Sequence, residues 1–203
     1  MHSTVEDDNN EDLWIFGYGS LMWRPGFDYL ERVPARLIGL HRALCVFSFV
    51  HRGTPERPGL VLGLDRGGMC RGIAYRVDAA SRARTIGYLR GREQVTTVYV
   101  ETTRRIELEE HARRRVRALC YIVDRSHVQY AGRLTLAESL RHVRQGHGQS
   151  GPNRDYVLET VRALETLGYR ESDLHLLAQR LTGVHESSAG SREPGSEDQL
   201  SCA

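Results

Sequence analysis

Short apolar runs separated by polar turns fill the first two thirds of the chain, and helical spacing takes over in the last third. Leu13-Trp14-Ile15-Phe16 reads as a first strand. Ala35 to Val50 is long, apolar and β-rich, and predicts one or two strands. Gly59 to Leu64 and Cys70 to Val77 predict two more, with Gly67-Gly68 between them as a hairpin turn. Thr96 to Ile106 and Val116 to Val123 are again β-rich. A single helix interrupts these strands. Asp78 serves as its N-cap, and Ala79, Ala80, Ala83, Ile86, Leu89 and Glu93 fall on one face.

From Thr135 onward the periodicity is helical. Thr135 to Glu138 matches a capping box, and Leu136, Leu140 and Val143 make a short face that stops at Gly146. A Gly-rich loop, residues 146–153, leads to a helix that takes Pro152 at its first position. Its buried face is Tyr156, Val157, Val161, Leu164 and Leu167. Glu171 to Leu181 forms a last amphipathic helix. The reading is an α+β domain over residues 13–183, with a disordered N-terminus (1–12) and a Ser, Gly and Glu-rich tail (184–203). Roughly six strands are enough for a curved or closed sheet.

Composition narrows the function. At 203 residues, one domain with a sizeable core is expected. No apolar run approaches the ~20 residues of a membrane span. The acidic, polar start is no secretory signal. Cys45, Cys70, Cys120 and Cys202 are scattered without a C-x-x-C pair, so a reducing cytoplasm is the simplest setting. All 28 basic residues are arginine, which excludes Schiff-base and pyridoxal chemistry and a Walker-type phosphate loop. The run Arg113-Arg114-Arg115-Val116-Arg117 follows Glu107, Glu109 and Glu110, and reads as a solvated strand face rather than a nucleic-acid site. The nine histidines are scattered, and His142 and His147 are poorly spaced for zinc. No oligomer motif stands out, which makes a monomer the default.

Two stretches carry candidate chemistry. In Phe16-Gly17-Tyr18-Gly19-Ser20-Leu21-Met22, two glycines let the chain leave its strand in a bend that can gather backbone N–H groups around an anion. An ordinary strand-ending turn also accounts for the glycines and, on them alone, is favoured. Glu93 lies at a helix end on the apolar face, where desolvation and the helix dipole both raise a carboxyl pKa toward that of a general base. A surface Glu paired with Arg90 or Arg92 fits the spacing equally well. A serine hydrolase built on Ser20 is disfavoured, because Met22 stands where a nucleophile elbow needs Gly.

Taken together, these residues resemble the ChaC-type γ-glutamylcyclotransferases, the glutathione-specific branch. The matching motifs are Gly17-Tyr18-Gly19-Ser20-Leu21, His51-Arg52-Gly53-x-Pro55-Glu56-x-Pro58-Gly59, Tyr88-Leu89-x-x-Arg92-Glu93 and Gly146-x-Gly148-x-Ser150-Gly151-Pro152-Asn153-x-x-Tyr156. The resemblance spans about residues 12–183. It implies a small mixed β-barrel flanked by helices and a cofactor-free reaction, glutathione to 5-oxoproline and cysteinylglycine. It makes Glu93 the general acid/base and assigns the γ-glutamyl group to Tyr18, Gly19, Ser20 and Leu21. By the same resemblance Tyr156 is a substrate contact, although a helix tyrosine with its hydroxyl at the surface also fits the spacing. Arg52 and Arg57 could bind the glycyl carboxylate; solvated loop arginines are the favoured reading. Gln94-Val95-Thr96-Thr97, running straight into a strand, departs from the glycines that some members carry there. A cyclotransferase for other γ-glutamyl amines, and a γ-glutamyl-binding domain without turnover, are the alternatives.

Overall fold

The computed structural model describes residues 11–93, 97–110 and 114–183. The expectations for residues 1–10, 184–203, Gln94–Thr96 and Arg113 lie outside them. Glu11 and Asp12, at the end of the stretch expected to be disordered, are held. The Asp12 carboxylate accepts from Arg76 at 2.9 Å and from the Ala79 N–H at 3.2 Å, and the Glu11 carbonyl accepts from Arg82.

Five strands close into a barrel in the order β1-β3-β2-β4-β5: β1 Leu13–Gly17, β2 Glu31–Ser48, β3 Gly59–Val77, β4 Tyr99–Leu108 and β5 Arg115–Val123. Four neighbouring pairs are antiparallel, and β1 runs parallel to β5, so the barrel is mixed as expected. Closed sheets leave no unpaired edge. Buried residues pack both faces of the sheet, among them Ile15, Phe16, Leu37, Leu60, Leu64, Ile73, Tyr75 and Ile106, all at 1% exposure or less. Cys45, Cys70 and Cys120 are buried free thiols on β2, β3 and β5.

One expectation fails here. Gly67-Gly68 does not turn a hairpin; the chain runs on as the single strand β3. Both ends of β3 pair with the same partner, β2, so there is nothing for a reversal to reach. Instead Gly67 (φ 96°) and Gly68 (φ 68°) lie opposite Gly39 (φ 91°), where the register slips between Ile38 and Leu40. This is a bulge, and it bends two long strands enough to serve on both sides of a small barrel.

Four helices flank the barrel: α1 Arg82–Glu93, α2 Leu136–Gln145, α3 Asn153–Thr166 and α4 Ser172–Thr182. Asp78 does act as a cap, accepting from the Ala80 N–H at 2.8 Å, but the capped turn Ala79–Ser81 is 3₁₀ and precedes α1. The buried face of α1 is Thr85 and Leu89, with Ile86 beside them; Ala80 and Ala83 face solvent, contrary to the periodicity. The Thr135–Glu138 capping box forms in full. Pro152 is the N-cap of α3 rather than its first residue, because the Asn153 side chain is occupied by β3, bonding the Leu60 N–H at 2.6 Å and the Leu60 carbonyl at 2.7 Å. Arg115 and Arg117 lie on a solvated strand face, and Arg115 approaches Glu107. No helix among the described residues is long and apolar enough to cross a membrane.

Candidate active site

A cavity of about 400 Å³ opens at one mouth of the barrel. Chain direction dictates what meets there. The parallel strands β1 and β5 both end at this mouth, bringing the Tyr18–Leu21 turn and Tyr121. β2, which runs the same way, supplies Val46–Ser48 from its end, and the antiparallel strands β3 and β4 supply Val61 and Leu62 and Tyr99 from their starts. Glu93 and Arg92 come from the C-terminal end of α1, and Tyr156 from α3. The cavity therefore brings together all six residues singled out in the sequence: Glu93, Tyr18, Gly19, Ser20, Leu21 and Tyr156. Arg57 is not among the lining residues, whereas Arg52 is.

The Tyr18–Leu21 bend differs from its expected form. Neither glycine adopts a positive φ. Both are required by close approach instead: a Cβ on Gly17 would stand 3.0 Å from that of Leu21, and one on Gly19 would stand 3.3 Å from the Tyr156 hydroxyl. Ser20–Met22 then forms one 3₁₀ turn, closed by the Met22 N–H to the Gly19 carbonyl at 2.9 Å. The first N–H groups of such a turn have no intrahelical acceptor. Buried groups hold the bend from behind. Arg42 Nε donates to the Tyr18 carbonyl at 2.5 Å, and the Tyr75 hydroxyl donates to the Leu21 carbonyl at 2.8 Å.

Glu93 is the last residue of α1, with its side chain 18% exposed and its carboxylate 3.2 Å from Arg92 Nε. The two sequence readings thus hold together: the carboxylate is paired, and it also faces the cavity. Burial pushes its carboxyl above the ordinary range, and the neighbouring Arg92 cation only partly opposes this. Arg92 does more than pair. It donates to the carbonyls of Arg24 (2.7 Å) and Pro25 (3.2 Å), to Ser20 Oγ (2.8 Å) and to the Tyr88 hydroxyl (3.0 Å). One guanidinium therefore locks the glutamate-bearing helix end to the glycine turn, so the two sequence motifs become one rigid unit.

Four phenols surround the carboxylate. Burial raises the pKa of Tyr18, Tyr99, Tyr121 and Tyr156, and the nearby Glu93 charge adds to the effect on each. They remain neutral donors. Tyr18 donates to the Tyr121 carbonyl at 2.9 Å, and Tyr99 donates to the Leu62 carbonyl at 2.7 Å. Tyr156 is buried, so its hydroxyl is not at the surface; it accepts the Leu62 N–H at 3.1 Å, and the residue lines the cavity. Tyr156→Phe is expected to leave the Leu62 N–H unpaired and to cost about 1–3 kcal/mol. A urea unfolding midpoint equal to the parent's would contradict this.

Sequence reasoning missed three groups. Tyr99 and Tyr121 look like ordinary strand aromatics, and only barrel closure turns them inward. Arg42 did leave a signal: an arginine within an apolar strand run implies a buried, partnered cation. Among the described residues, no three His, Cys, Asp or Glu side chains are grouped so as to hold a metal ion.

Comparison with known proteins places the chain in a family. A family model described as ChaC-like protein matches residues 13–186. The glutathione-specific γ-glutamylcyclotransferase of Escherichia coli K12 is 32% identical, over 80% of this chain and 70% of its own length. The human glutathione-specific γ-glutamylcyclotransferase 1 is 30% identical, over 85% of this chain and 78% of its own. The crystal structure of a yeast γ-glutamylcyclotransferase specific to glutathione superposes with a TM-score of 0.78, covering 86% of this chain and 97% of that one at 22% identity. At that identity the likeness speaks for the fold.

Proposed function

The chain belongs to the ChaC-like family, and on that premise we infer that it is a glutathione-specific γ-glutamylcyclotransferase, an enzyme releasing 5-oxoproline and cysteinylglycine from glutathione. One observation carries the mechanism: Glu93 is the only carboxylate lining the cavity among the described residues, and burial raises its pKa.

The chemistry needs little else from the protein. The nucleophile is the substrate's own α-amine, which is ordinarily protonated at neutral pH. Glu93 takes a proton from that ammonium, and the freed amine attacks the γ-carbonyl carbon. A five-membered ring closes and the carbonyl electrons move to oxygen. As the carbonyl re-forms, the bond to the cysteinyl nitrogen breaks and Glu93 returns its proton to that nitrogen; the ring nitrogen then gives up its second proton as it becomes the lactam, and the same carboxylate passes it to the released amine. Free N–H groups of the Gly19–Leu21 turn hold the γ-glutamyl end folded, so that ring closure is a matter of proximity. Tyr156, which lines the cavity, is proposed as a second contact. No step calls on a cofactor. We propose that the enzyme works as a monomer in a reducing cytoplasm, a setting in which Cys45, Cys70 and Cys120 persist as the buried thiols seen here.

The test is 5-oxoproline release by the purified protein, with glutathione compared against γ-glutamyl-amino acids. Turnover of glutathione supports the proposal. Turnover of the amino-acid conjugates alone would move the specificity, and silence on all of them would favour a binding domain.

A further inference from the structure

Beyond Glu93, the cavity is cationic. Arg24, Arg52 and Arg92 line it, with His51 at its rim. Arg92 is committed to Glu93 and four oxygen acceptors. Arg24 and Arg52 are different: among the described residues neither forms an ion pair with a carboxylate. Arg52 donates one Nη1 hydrogen to the Pro152 carbonyl at 3.1 Å, and its guanidinium carbon lies 5.5 Å from the centre of the Tyr156 ring. Burial lowers its pKa, and the Arg24 charge adds to this; Tyr156 and Asp155 oppose them. Two cations brought together at a cavity mouth are repulsive unless an anion joins them.

The backbone beneath Arg52 is fixed in advance. Its N–H donates to Ser48 Oγ at 3.0 Å, and a Cβ on Gly59 would stand 2.1 Å from its carbonyl oxygen. The segment before α3 clasps the same loop, through Gln149 N–H to the Val50 carbonyl and Ser150 N–H to the His51 carbonyl, both at 2.9 Å. This is why the His51–Gly59 and Gly146–Tyr156 motifs occur together: each holds the other, and between them they aim Arg52 over Tyr156.

We propose that Arg52, assisted by Arg24, binds the glycyl carboxylate of glutathione and thereby selects the tripeptide. The inference rests on the glutathione reading above. Glutathione carries two carboxylates and one ammonium at neutral pH. The glutamyl carboxylate and ammonium belong with the turn and Glu93, which leaves the glycyl carboxylate as the one charged group at the other end. A guanidinium fork suits it, and a charge-assisted contact of this kind is worth about 1.5–3 kcal/mol, or roughly 10- to 150-fold in kcat/KM.

The experiment compares glutathione with its glycyl monoethyl ester, in which a neutral ester replaces that carboxylate. The parent, Arg24→Gln, Arg52→Gln and Arg52→Lys are assayed for 5-oxoproline release, and thermal denaturation confirms that each is folded. The parent is expected to prefer glutathione by at least about tenfold, mostly through KM. The preference shrinks in both glutamine variants, and Arg52→Lys retains part of it. Arg24 is exposed, so its replacement does not threaten the fold. Equal turnover of acid and ester by the parent overturns the proposal, and so does an unchanged preference in both glutamine variants. A parent inactive on both compounds overturns the glutathione reading itself, and this inference with it.

Discussion

Glu93→Gln is expected to lower 5-oxoproline release by at least about a hundredfold in a fully folded protein, since a positioned general acid/base contributes roughly 10²- to 10⁴-fold. The loss should fall on kcat, because glutamine keeps the shape of the side chain and removes only its capacity to hold a proton. Retained turnover would remove Glu93 from the mechanism. The parent's activity should also show an acid limb. Burial raises the Glu93 pKa above 4.5, so the fraction of ionised base falls while the pH is still above that ordinary value. The limb should be absent from any residual activity of the variant.

The same substitution carries a stability signature. A carboxyl whose pKa is higher folded than unfolded binds its proton more tightly in the folded state. Its contribution to stability is fully present below the unfolded pKa and is lost as pH rises through the folded one. Ionised Glu93 is therefore a burden near neutral pH, and Glu93→Gln is expected to raise Tm at pH 8. The gain should close as pH falls toward 4.5, where the parent carboxyl is protonated. A variant less stable than the parent at pH 8 would mean that the Arg92 contact outweighs the desolvation of the carboxylate.

The second large effect lies behind the site. Arg42→Met is expected to destabilise the protein by about 2–5 kcal/mol, chiefly by stranding two carbonyl acceptors at about 1–3 kcal/mol each, with a smaller share from Glu171, whose side chain is 30% exposed. The Arg42 side chain is 0% exposed. It pairs with Glu171 at the N-cap of α4, and donates at 2.5 Å to the carbonyls of Tyr18 and Arg71. Methionine fills the space but leaves both carbonyls unsatisfied and Glu171 uncompensated. Burial already pushes the Glu171 carboxyl up, and Arg42 is the first influence opposing it. Adding Glu171→Gln to Arg42→Met should recover part of the loss in urea denaturation. Because the Tyr18 carbonyl belongs to the substrate turn, activity should fall with stability and recover less than stability does in the double variant. A parental urea midpoint in Arg42→Met would refute this account.

Arg42, Arg92 and Arg52 perform related tasks. Each guanidinium spans groups that are distant in sequence: Arg42 ties α4 to the glycine turn, Arg92 ties α1 to the same turn, and Arg52 bridges the β2–β3 loop to α3. In a chain without lysine, the planar five-donor fork does the cross-linking throughout.

Much of this protein was legible in the order of its residues. Alternating and apolar runs marked the strands, Asp78 and the Thr135–Glu138 box marked caps, and spacing offered Glu93 as a carboxylate on an apolar face, with a surface ion pair fitting equally well. These signals are local, carried within a few residues by side-chain spacing and backbone preference. Where local chemistry had two outcomes, the partner decided. Gly67-Gly68 suits a hairpin or a bulge, and it became a bulge because β2 pairs with both halves of β3. Gly17 and Gly19 suit a positive φ or a close contact, and Leu21 and Tyr156 made them contacts. Tyr156 suits the surface or a buried hydroxyl, and the Leu62 N–H buried it. The sequence by itself determined which elements form and which residue types could do chemistry. Tertiary structure decided that Glu93, the glycine turn and these tyrosines share one cavity: strand direction and register, set by long-range pairing, place the glycine turn, Tyr99 and Tyr121 at one mouth, and the packing of α1 and α3 over it adds Glu93 and Tyr156.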